Sequence, residues 1–103
     1  FNVAADFDYS YVSTFAEINE VFFRAIWKYN TFLAEHYNTL GRLLVHVSAS
    51  SCYKVNKRTI KTLWRFNNLR NKHAHTGYKL TANERRFVKS VAANIEKYVA
   101  EFG

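Results

Sequence analysis

The sequence predicts an all-α fold, a small helical bundle of three to four helices with one long N-terminal helix. Three observations carry this. The 103 residues contain no proline and only three glycines, Gly41, Gly77 and Gly103, too little punctuation for a sandwich or barrel with many tight turns. From Phe15 the apolar positions recur at steps of three and four, the period of one helix face. A threonine–glutamate capping signature opens the last apolar run. The composition, 49% hydrophobic and 17% aromatic, is that of a chain that builds a core. Its length suits a single domain spanning residues 1–103.

Residues 1–10 carry Asp6 and Asp8 without a clear period and read as a lead-in. Phe15, Ile18, Phe22, Ala25, Tyr29, Leu33, His36, Leu40, Leu43 and Val47 then form one stripe. It predicts a helix to about Val47, with a bend or break near Gly41 as the rival. Asp8 or Ser13 is expected to cap its start, with Glu17 and Glu20 early in the helix where its dipole favours acids. Residues 48–53 read as a connection, and Asn56 as the N-cap of the next helix. That helix shows Ile60, Leu63, Trp64 and Leu69 as its apolar side, and Lys57, Lys61 and Arg65 as a basic stripe at spacings of four. Gly77 offers the turn that follows. Thr81 and Glu84 form a capping box, and the last helix is expected to run to about Glu101. Its inward face would hold Val88, Val91, Ala92, Ile95, Tyr98, Val99 and Phe102.

The net charge is +7, and its distribution is informative: no Asp or Glu occurs between Glu35 and Glu84. A one-sided positive field attracts polyanions and speeds their encounter with the protein. The single Cys52 has no partner for an internal disulfide or a zinc pair, so a reducing, intracellular setting, cytoplasmic or nuclear, is expected, with Cys52 partly buried. There is neither a signal-peptide pattern nor a run of about eighteen apolar residues, so no membrane association is expected. The chain opens Phe1-Asn2-Val3 and contains no methionine, which suggests a piece of a longer protein with other domains.

Of the four histidines, His36 and His46 lie in the amphipathic first half without polar company and read as packing or rim residues. His73 and His75 instead follow Arg70 and Asn71 at the junction of the basic helix and the glycine turn. Zinc needs three or four ligands, which this neighbourhood lacks. No acid lies nearby in sequence to orient either ring as in a Ser/His/Asp arrangement. Phosphate chemistry suits the residues better. Arg70 presents a planar fork of donors, an imidazole can take or give a proton near neutrality, and Asn71 can donate to a phosphate or fix a tautomer. No metal or cofactor is required. On a helix Arg70 and His73 are neighbours, as are Asn71 and His75, whereas Arg70 and His75 lie on adjoining faces. Spacing alone does not choose between His73 and His75. Lys57, Lys61, Arg65, Lys72 and His73 are expected RNA contacts, and Tyr78, or Trp64 if exposed, offers a face for a base.

The run Arg70-Asn71-Lys72-His73-Ala74-His75 resembles the R-x4-6-H motif of the HEPN superfamily (higher eukaryotes and prokaryotes nucleotide-binding), in which a polar residue, often Asn, follows the Arg. The resemblance covers the motif and its setting, a basic helix before and a capped helix after. It implies a helical bundle that forms homodimers, with metal-independent endoribonuclease activity at a composite site between protomers. The ribose 2′-hydroxyl would attack its own 3′-phosphate and leave a 2′,3′-cyclic phosphate. Arg70 would stabilise the phosphate, His75 would act as acid or base, and Asn71 would support them. The minimal toxins of the superfamily often carry a Tyr two residues after the His. Here Tyr78 comes three residues after His75, a departure from that subgroup. The other expectation is a catalytically inactive HEPN-like module for dimerisation or nucleic-acid or nucleotide binding within a larger protein.

Overall fold

Capping side chains and one left-handed glycine divide the chain into helices. The computed structural model describes residues 10–103. Among them are six helices and no strand: α1 Ser10–Tyr29, α2 Thr31–His36, α3 Leu40–Ala49, α4 Lys57–Thr76, α5 Ala82–Ala93 and α6 Ile95–Ala100. The all-helical expectation holds, but the helices number six rather than three or four.

The expected long first helix is three. Its first break is at Asn30, whose backbone leaves the helical region at φ −153°, ψ 89°. The Asn30 carboxamide accepts the Leu33 N–H at 3.1 Å and donates to the Phe102 carbonyl at 3.0 Å. One side chain thus caps α2 and ties it to the end of the chain. The second break precedes Gly41, which lies inside α3. There the Thr39 hydroxyl accepts the Arg42 N–H at 3.4 Å, an N-cap. The apolar stripe survives both breaks: Phe15, Ile18, Phe22, Ala25, Leu33, Leu40, Leu43 and Val47 are buried. Tyr29 and His36, beside the breaks, are exposed. Ser13 lies inside α1 rather than at its start, and Asp8 is outside the described residues. Glu17 and Glu20 sit beyond the first described turn, where the dipole has little effect.

The later signals act where expected. Asn56 caps α4, accepting the Arg58 N–H at 2.8 Å. Gly77, at φ 66°, closes it and donates its N–H to the His73 carbonyl at 3.0 Å. The Thr81–Glu84 capping box is formed in both directions, at 3.2 and 2.8 Å. The last helix divides at Asn94, whose side chain donates to the Ser90 carbonyl at 2.7 Å. Ala92, expected inside, is exposed.

The core joins the two ends of the sequence to the middle. In α1, Phe15 packs on Phe66 of α4 at 5.5 Å between ring centroids, and Phe22 meets Phe102 edge-on at 6.1 Å. Ile26, Leu33, Leu43, Leu44, Leu63, Phe66, Val99 and Phe102 are almost wholly buried, each such side chain contributing about 1.5–3 kcal/mol. The Glu101 carboxylate accepts the Asn56 N–H at 2.8 Å and the Thr59 hydroxyl at 2.7 Å. An acid from the chain's far end therefore sits at the N-terminus of α4, where the helix dipole favours it. The molecule measures 48 × 24 × 22 Å; α1 and α4, of 20 residues each, are about 30 Å long.

Candidate nucleic-acid interface

Helix α4 sorts the expected site residues by its period. Thr59, Leu63, Phe66, Leu69 and His73 are its buried side, while Lys57, Lys61, Arg65 and Lys72 are exposed. Two of these cations rest on rings of the segment that follows. The Arg65 guanidinium lies 4.1 Å from the Phe87 ring centre, and the Lys72 ammonium 3.9 Å from that of Tyr78. Among the described residues the ion pairs are Arg24–Glu20 and Lys28–Glu96, and neither engages the α4 cations.

The six-residue motif is divided among three environments. Arg70 is exposed and its guanidinium donates to the Asn71 carboxamide oxygen at 3.1 Å. Both line a groove of about 620 Å³, together with Asn19, Glu20 and Phe23 of α1, the Tyr37–Thr39 turn and Asn67 of α4. His75 is exposed and outside this groove. Five residues separate it from Arg70, about 140° around the helix axis. One chain therefore does not bring Arg70 and His75 together. His75 instead lies one turn beyond Asn71, on the same side.

His73 is in the core, 1% exposed. Its ring lies 5.4 Å from that of Phe15 and 6.4 Å from that of Tyr11. Burial removes it from the surface that a nucleic acid can touch, which corrects its expected role as an RNA contact. The choice between the two histidines that spacing leaves open is made by packing: only His75 faces solvent.

Tyr78 is half-buried, with Lys72 over its ring and its hydroxyl donating to Glu84 at 2.7 Å. That bond raises the Tyr78 pKa above its ordinary value. For Glu84, burial opposes ionisation. The Thr81 N–H, the Tyr78 hydroxyl, the Thr81 side chain and the Lys72 charge outweigh it and hold the carboxyl below its usual range. The expected stacking residue is thus engaged in fastening the α4–α5 turn.

A second groove, of about 660 Å³, adjoins the first and shares Tyr37, Thr39 and Gly41 with it. Its remaining lining is Arg42, Val45, His46 and Trp64. His46 stacks on Tyr37 at 4.8 Å and 25°, and meets Tyr53 edge-on at 5.5 Å. At Gly41, α3 approaches α4 so closely that an added Cβ would lie 3.3 Å from the Asn67 amide nitrogen. Sequence reasoning passed over Asn67, Arg42 and His46 as site residues. One signal was present, since Trp64, Asn67, Asn71 and His75 follow at steps of three, four and four along one side of α4. The α3 side of the groove had no such signal.

Other expectations are adjusted by exposure. Cys52 is exposed rather than partly buried. His36 is exposed, stacks on Phe32 at 4.1 Å and has Nδ1 2.9 Å from the Phe32 carbonyl. Among the described residues no three His, Cys, Asp or Glu side chains cluster as metal ligands, and no helix is long and apolar enough to cross a membrane. Comparison with protein-family models, with curated protein sequences and with solved structures finds no match for this chain.

Proposed function

We propose that this chain is a HEPN-type, metal-independent endoribonuclease domain, with Arg70, Asn71 and His75 as its phosphate-handling residues. The observation that carries the reading is the Arg70–Asn71 pair, joined at 3.1 Å on the wall of an open groove within an acid-free, basic stretch of sequence. Arg70 donates in a planar fork to the non-bridging oxygens of a phosphate. Because the Asn71 oxygen is occupied by Arg70, its amide N–H groups remain to donate to the same phosphate or to the ribose. The ribose 2′-oxygen attacks the adjacent phosphorus and gives up its proton to a base. The P–O5′ bond breaks, and the departing 5′-oxygen takes a proton. The products are a 2′,3′-cyclic phosphate and a 5′-hydroxyl. His75 is the acid or base, and its distance around α4 from Arg70 calls for two copies, the His75 of one meeting the Arg70 of the other.

The test is cleavage of a single-stranded RNA in EDTA by the pure domain. Wild type is expected to leave cyclic phosphate ends. Arg70→Ala and His75→Ala should each lower the rate about 10²- to 10⁴-fold, and mixing the two variants should restore part of it, because hybrid dimers rebuild one intact site. Absence of cleavage by wild type, or cleavage only with a divalent metal, refutes the proposal.

One observation favours the second reading, a non-catalytic HEPN-like module for dimerisation or nucleic-acid binding. Among the described residues no side-chain hydrogen bond orients His75, and a catalytic imidazole is ordinarily held by one. That reading predicts dimerisation, or RNA binding, without turnover.

A further inference from the structure

The second groove differs in chemistry from the first. The Arg70–Asn71 groove carries the amides of Asn19, Asn38, Asn67 and Asn71 beside Arg70, with one acid, Glu20, which is paired with Arg24. The adjoining one is lined by Trp64, the Tyr37–His46 stack, the exposed Val45 and Arg42. The two grooves lie side by side, with Tyr37, Thr39 and Gly41 common to both.

We propose that this aromatic groove is a nucleobase subsite. It takes the base of a nucleotide flanking the phosphate that Arg70 holds. The inference rests on the reading of the Arg70 groove as an RNA phosphate site. Three features favour a base over an apolar side chain of a protein partner. First, the groove is cationic as well as aromatic: Arg42 lines it, and the sequence from 36 to 83 contains no acid. An arginine plane and aromatic faces together recognise a base joined to phosphate. Second, the wall is already ordered. His46 is held between Tyr37 and Tyr53, at 4.8 and 5.5 Å, so little rotamer freedom is lost on binding. Third, Trp64 and Asn71 belong to the same side of α4, two turns apart and about 10 Å along its axis, a span that neighbouring parts of one strand can bridge. Stacking of this kind accepts any base, so the subsite adds affinity and register with little sequence preference.

The experiment uses a short single-stranded oligoribonucleotide whose 2′-hydroxyls are methylated, so that it binds without being cut, and a base-free phosphodiester chain of the same length. Trp27, exposed on α1, is replaced in a Trp27→Phe background, leaving Trp64 as the reporting indole. The oligoribonucleotide is expected to quench Trp64 emission. Trp64→Leu should raise its Kd about tenfold and Trp64→Phe much less. The base-free chain should bind wild type about tenfold more weakly and be indifferent to Trp64→Leu. Should Trp64→Leu fail to fold, the quenching and the base-free chain still decide. The subsite is overturned if the base-free chain binds as tightly as the oligoribonucleotide, or if Trp64 emission is unchanged on binding. If affinity is then still lost in Arg70→Ala, the phosphate site stands and the subsite alone falls. If no oligoribonucleotide binds wild type, both fall. Quenching by an uncharged phenylalanine-rich peptide in place of the oligoribonucleotide would make a protein partner the occupant, and overturns the proposal as well.

Discussion

His73 and His75 stand two residues apart, and the fold assigns them opposite roles, which a stability experiment can separate. In His73→Ala the imidazole is removed from a site 1% exposed, packed on the rings of Phe15 and Tyr11. The site joins α1 to α4 from two sides and cannot collapse without moving a helix, so most of the vacated space persists as a cavity. Large-to-small changes in such sites cost about 2–5 kcal/mol, and about 3 kcal/mol is expected here. In a domain of this size that lowers Tm by roughly 15 °C, a large share of a total stability of about 5–15 kcal/mol. His75→Ala removes an exposed ring and should stay within about 0.5 kcal/mol of wild type. Urea denaturation of the three proteins, followed by circular dichroism with a common m-value, measures the difference. A His73→Ala variant as stable as wild type, or a His75→Ala variant equally destabilised, would refute the division of the motif into a core histidine and a surface one.

Other perturbations address the joints of the fold. Because the Glu84 carboxyl is held below its ordinary value of 4.5, its stabilising contribution is complete above that pH. It is lost as pH falls through the lower folded-state value. Glu84→Gln should therefore be less stable than wild type at neutral pH, with the gap closing in strong acid; a gap independent of pH would contradict the assignment. Glu101→Ala leaves the Asn56 N–H and the Thr59 hydroxyl without their carboxylate, at a cost of about 1–3 kcal/mol by thermal denaturation. Hydrogen exchange should quicken first at the start of α4. Asn30→Ala should cost about 0.5–2 kcal/mol through its cap and loosen the Phe102 end of the chain, read from amide exchange there. Gly77→Ala places a β-carbon at φ 66° and should cost about 1 kcal/mol; an unchanged Tm would argue against the left-handed C-cap.

Much of the candidate site is legible in the sequence as residue types and much less as positions. Arg70, Asn71 and His75 are nameable from their spacing, and α4 carries them as expected. Whether they meet is another matter, because on a helix five residues place Arg70 and His75 well apart, and only the packing of a second copy could reunite them. The groove itself is not legible. Its opposite wall comes from Tyr37 and the α3 residues, whose approach to α4 depends on Gly41 fitting against Asn67.

The sequence by itself determined what depends on neighbours within about four residues. These are the helical class, the caps at Asn56 and Thr81, the stop at Gly77, and the helical period of the apolar positions from Phe15 onward and of the α4 cations. Each is a local interaction that the chain makes wherever it folds. The tertiary structure decided what depends on distant partners. Asn30 breaks the first helix while holding the carbonyl of Phe102, 72 residues away, and Glu101 is tied to Thr59, 42 residues away. Periodicity could not foresee the first break, since the apolar stripe passes through it unbroken. His73 is in the core because Phe15 and Tyr11 cover it, whereas His75 has no such cover. Burial is a property of what lies opposite a side chain, and that is written elsewhere in the sequence from the side chain itself.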